Sequence, residues 1–177
     1  LETVAAAAEF DSVSARQSEA DAVDAVLGSE ADGLDDGAER RSAGSRPQAD
    51  DGGRKVLAIL RASTSDSVPA DLRSDAWIIR RNALRLLAAH REFLARFAGP
   101  RAANLARRLE ARIEHGVSRD AVSLTAVDGV GAGRARTLAT GGLSRPADIV
   151  AAGADELERA GLAAGVAERV VSAAADL

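Results

Sequence analysis

Gly129-Val130-Gly131, followed by Gly133, Arg134 and Arg136, is the stretch whose residue types and spacing offer recognisable chemistry. Apolar positions keep helical spacing up to Val127, break at the glycines and resume at Ala135 and Leu138. That pattern predicts two short helices joined by a turn tight enough to need glycine. Such a turn lets backbone N–H groups approach an anion, and the second helix aims its positive end at the same point. Arg134 and Arg136 place two cations in the first turns of that helix. The chemistry on offer is recognition of a nucleic-acid phosphate without reading a base. Replacing both arginines with Ala is expected to lower the salt slope of DNA binding by about two units. Any helix–helix turn can use glycine. The apolar residue between two glycines and the arginines beyond them set this one apart.

A second candidate is the stripe Trp77, Arg81, Arg85, spaced at i, i+4 and i+8 on a predicted helix. From Arg73 to Arg112 there are ten arginines against Asp75, Glu92 and Glu110. A charge run is ordinarily a solvated face, and a lone tryptophan ordinarily belongs to a core. Aromatic plus arginine is equally the composition of a single-strand surface, where bases stack and guanidinium groups hold phosphates.

No enzyme site is recognisable. There is no Gly-x-x-x-x-Gly-Lys-Ser/Thr, and Lys55 stands in an apolar helix. No cysteine is available as nucleophile or ligand, and His90 and His115 are too few for an ordinary histidine zinc site. Both histidines read as structural. Asp35-Asp36 and Asp50-Asp51 lie in glycine-rich sequence with nothing to hold their geometry, so no metal is expected.

The elements that must position these residues read as all-α. Ala, Leu, Arg and Glu dominate, and no run of β-branched residues suggests a strand. Residues 3–27 read as helical. Gly28 to Gly53 is rich in Gly, Ser, Asp and Arg and is expected to be a mobile insertion. A short buried helix follows over Arg54–Ala62. Pro69 opens a long helix over about Ala70–Ala98, with Ile79, Ala83, Leu86, Leu87, Phe93, Leu94 and Phe97 on its apolar face. Pro100 opens the next, carrying Leu105, Leu109 and Ile113 inward and ending at Gly116. Short helices punctuated by glycine complete the chain. The hairpin segment 129–138 repeats at an offset of 32 residues as 161–170, where Ala163, Val166 and Glu168 replace Gly131, Arg134 and Arg136. The second copy keeps the apolar skeleton and loses the phosphate chemistry.

Residues 1–53 carry a net charge of −9 and residues 54–177 a net +5, so a polyanion would bind the later part. All but one of the 23 basic residues are arginine, and alanine is abundant. With frequent Asp and a net charge of −4, that bias favours high-salt adaptation over a merely GC-rich genome. The sequence starts on Leu1 and holds no methionine, which points to a piece of a longer polypeptide. With no long apolar run, a cytoplasmic protein without a membrane partner is expected.

Residues 111–117, 131–136 and 167–171 resemble the C-terminal part of archaeal Ski2-like superfamily-2 DNA helicases, most closely the halophilic versions. The resemblance is clear over residues 105–171 and weaker back to about residue 54. It implies a helical bundle over residues 1–116, whose ratchet helix (70–98) touches the single strand. A small helix-hairpin-helix domain over residues 117–177 would then restrain the motor. The motor itself, with its ATP and Mg²⁺, lies outside this chain, and the implied partners are single-stranded or forked DNA and the helicase domains of the same polypeptide. Two departures stand out. Ala132 replaces the first arginine of the family's run after the hairpin. Seven residues after Arg81, where the family has tryptophan, stands Ala88; Trp77 lies one turn earlier on the same stripe. A free-standing helix-hairpin-helix module of a repair nuclease or ligase, and a protein-interaction domain, are the alternatives.

Overall fold

The structure, a computed structural model, describes residues 1–28 and 51–177. The described residues form eight α-helices and no strand. They are α1 (Glu2–Ala5), α2 (Ala20–Gly28), α3 (Asp51–Ser63), α4 (Arg73–Phe97), α5 (Pro100–His115), α6 (Ala132–Thr140), α7 (Pro146–Arg159) and α8 (Ala164–Ala175). The fold is therefore all-α. The insertion expected at 28–53 falls mostly outside the described residues. At its edges Gly28 closes α2, and Asp51, Gly52 and Gly53 already belong to α3.

The N-terminal stretch is not one helix. Short 3-10 turns at Ala8–Phe10 and Gln17–Glu19 separate α1 from α2. Asp11, Ser12 and Ser14 lie between them, residue types that compete with helix through their own side chains. The break has a use, because it leaves the Ser14 carbonyl free to accept a bond from Lys55 at 3.2 Å.

Apolar burial divides into two clusters. The first joins Phe10, Val23, Val56, Ile59, Leu60, Leu72, Ile79, Leu87 and Ile113. The second joins Val117, Leu124, Val130, Leu138, Ile149, Leu157 and Val170. Each fully buried Leu or Ile contributes about 1.5–3 kcal/mol over an exposed one.

Lys55 is buried in the first cluster, which its apolar neighbours in sequence do not announce. Its Nζ donates to Glu19, 2.8 Å away, and to Asp75. Burial pushes the Glu19 carboxyl up, but the Lys55 hydrogen bond and the Arg16 backbone N–H more than offset it, and its pKa lies below the usual value. The Lys55 hydrogen bond likewise holds Asp75 down. Burial works against the Lys55 charge, yet its two carboxylate partners raise its pKa overall.

Helical periodicity overreaches at the end of α4. Phe93 and Phe97 are exposed, as is Leu105 on α5, although all three carry the pattern of inward residues. Leu87 is the last α4 residue in the buried cluster. The apolar stripe of α4 continues beyond it, and the two phenylalanine rings pack on each other, centroids 4.7 Å apart. His90 is exposed as well.

Candidate nucleic-acid interface

The hairpin is built from a 3-10 turn at Leu124–Ala126, the segment Val127–Gly131 and α6. Its first arm is thus a single 3-10 turn where an α-helix was expected. Leu124, Val127 and Val130 are buried and anchor it, while Gly129 and Gly131 stay exposed. Gly129 has φ +79, a conformation other residues avoid, and its N–H is taken by Asp128 Oδ1 at 3.0 Å.

Gly131 and Gly133 are different. Neither has a positive φ, and a Cβ built on either would meet only open space. Nothing inside the protein requires glycine there. Gly131 is the N-cap of α6 and supplies no side-chain cap. The backbone N–H groups of Gly131, Ala132, Gly133 and Arg134 make no hydrogen bond to a described residue. Bare glycines, unpaired amides and a helix N-terminus therefore share one exposed end.

The two arginines diverge. Arg134 remains exposed at the turn, its Nη1 donating to the Gly129 carbonyl at 2.6 Å. Arg136 points elsewhere: its Nη1 donates to Asp66 Oδ2 and to the Gly116 carbonyl, both at 3.0 Å. Of the two arginines expected to face phosphate, Arg136 instead fastens α6 to the bundle, and Arg134 folds back on the turn. Gly116 makes that junction possible, since a Cβ there would lie 2.9 Å from Asp66 Cβ. From the other side Arg80 donates to the Ile113 and Glu114 carbonyls. The last carbonyls of α5 are thus held by guanidinium groups from both α4 and α6, a favourable match to the negative end of a helix.

His115, at the end of α5, lines a groove of about 570 Å³ together with Thr125, Ala126, Asp128, Gly129, Gly131 and Arg134. Sequence reasoning placed His115 at a helix end but could not bring it to the hairpin. Trp77 is 67% exposed, not core, and the Arg81 guanidinium carbon sits 5.4 Å from its ring centroid. Both line a groove of about 720 Å³ with Arg73 and Asp66. Arg85, third on that stripe, turns to Glu9 instead.

Residues 1–149 match the Sec63 Brl domain. The chain belongs to that family. Sec63 Brl is a C-terminal helical domain of Ski2-like and Brr2-type superfamily-2 helicases, so the match supports a helicase C-terminal region. A search of curated proteins found no match. In this Sec63 Brl chain the first hairpin lies inside the matched residues and its repeat, 161–170, lies beyond them.

Proposed function

We propose that this chain is the part of an ATP-dependent 3′–5′ DNA helicase that grips the unwound single strand and restrains the motor. Its arginine-rich, acidic composition fits a halophilic source, and the family resemblance implies an archaeal one. The sequence carries no phosphate-loop motif, so the reading assigns ATP and Mg²⁺ to the helicase motor and not to these residues. The observation that carries the reading is the exposed end of α6, where adjacent amides are unpaired and two glycines leave the space above them open. A hairpin serving stability alone would do better with Ser or Asp at the N-cap and Ala in the helix. Arg134 adds a cation beside those amides, and the exposed Trp77–Arg81 pair supplies a stacking surface on the ratchet-like helix.

Fluorescence anisotropy with labelled single-stranded and forked DNA across a salt series tests this. Arg134→Ala is expected to lower the salt slope by about 0.7–0.9 units, with no preference for base sequence. An unchanged slope refutes the reading. A protein-interaction domain with a purely structural turn would show no salt-dependent DNA binding.

A further inference from the structure

A third groove lies between α5 and the start of α7, with a volume of about 530 Å³. Arg107 and Arg108 line it from α5, Thr125 and Ala126 from the 3-10 turn, and Arg145 and Pro146 from the head of α7. No acidic residue is among its lining residues. Arg107 and Arg108 are exposed and form no ion pair with a described residue. The Arg145 side chain is 74% exposed and, among the described residues, pairs with Asp148 alone, at 3.4 Å. Asp148 is itself committed to the helix start: it accepts from the Ser144 and Arg145 backbone N–H groups, and the Ser144 bond foremost holds its pKa down. Glu110 of α5 pairs with Arg91 at 3.0 Å.

Three guanidinium groups thus face one groove whose lining offers no counter-charge. Thr125 and Ala126 line both this groove and the hairpin groove, so the two share a wall. We propose that they form one track, in which the backbone of a nucleic-acid single strand runs from the α6 N-terminus and Arg134 to Arg107, Arg108 and Arg145. Two cationic points along a common wall suit an extended polyanion better than a single phosphate ion. Guanidinium contacts of this kind hold phosphates and leave bases unread. The proposal rests on the DNA-gripping reading above and extends it to residues outside the hairpin.

The test uses the full chain and a labelled oligothymidylate of about 16 nucleotides, long enough to span more than one contact region. The triple variant Arg107→Gln, Arg108→Gln, Arg145→Gln is expected to lower the salt slope by about 2 units, and Arg134→Ala by less. A slope lowered by Arg134→Ala and untouched by the triple variant overturns the track and leaves the hairpin reading standing. The reverse result, a slope lowered by the triple variant and unchanged by Arg134→Ala, overturns the track too, because the hairpin then lies outside the path and the reading beneath it fails. No binding by the parent chain sinks both. A poly-glutamate peptide that binds as tightly as the oligonucleotide overturns the assignment to nucleic acid. Should the triple variant melt early, the single variants Arg107→Gln and Arg145→Gln each carry the test, with an expected loss of about 0.7 units.

Discussion

The two cores of this chain are closed by different means. The bundle core encloses Lys55 and Glu19, with Asp75 completing the group at its edge. The hairpin core buries apolar side chains only, among the described residues, and builds the same unit twice. In that repeat Val130 and Leu162, Ala135 and Ala167, and Leu138 and Val170 are all buried at equivalent places. Gly129 and Gly161 both have positive φ, and each lies against the other unit: Gly129 faces Val170 and Gly161 faces Thr137. The lesson is that duplication preserved packing, turn geometry and the open amides of the helix start, while Gly131, Arg134 and Arg136 stand in one copy only. What sets the first hairpin apart in sequence is Gly131, Arg134 and Arg136, which the second has replaced.

The largest expected effect separates the two cores. Lys55→Met leaves the buried Glu19 with only the exposed Arg16 guanidinium, 3.5 Å away, as counter-charge and is expected to cost about 3 kcal/mol. Acid acts on the same group. Glu19 and Asp75 have folded pKa values below their ordinary 4.5 and 3.8. Their contribution is therefore complete above that range and is lost as pH falls through the lower folded values. Lys55 is raised above 10.5, so its contribution persists until pH climbs past that value. Hydrogen exchange followed against pH should show amides of α3 and α4 losing protection in acid before those of α6 and α8. Simultaneous loss in both cores would erase the contrast.

Next come the turn glycines. Gly129→Ala and Gly161→Ala each place a Cβ at ordinary contact distance, so the expected cost is the backbone alone, about 1–2 kcal/mol apiece. Denaturant melts giving clearly unequal costs would break the equivalence of the two turns. Only the Gly129 variant is expected to disturb DNA binding as well.

The smallest effect is the sharpest. Gly133 and Gly165 occupy the same position of α6 and α8, and a Cβ on either meets open space. Each change to Ala is expected to add roughly 0.5–1 kcal/mol of stability. Gly133→Ala should also weaken DNA binding, because its methyl stands where a strand must approach, whereas Gly165→Ala should leave binding alone. Equal binding by both variants would mean that the open space at α6 has no ligand to serve.

The all-α class, the long α4 helix, the hairpin and its repeat were legible in the sequence because each depends on local chemistry: helix propensity, apolar spacing, and glycine where φ must be positive. Local chemistry also put Gly131, Gly133 and Arg134 at one helix start, where they stand exposed. It could not show that Arg136 turns to Asp66, that Arg85 turns to Glu9, or that Lys55 finds Glu19 and Asp75, since each partner lies distant in the chain. Nor could periodicity say where the bundle stops, so Phe93, Phe97 and Leu105 read as core and stand exposed. The meeting of Arg107, Arg108 and Arg145 in one groove is likewise a product of packing. Pattern along a chain specifies which faces are apolar and which turns are possible; which charges meet depends on distances that arise only once helices far apart in sequence are side by side.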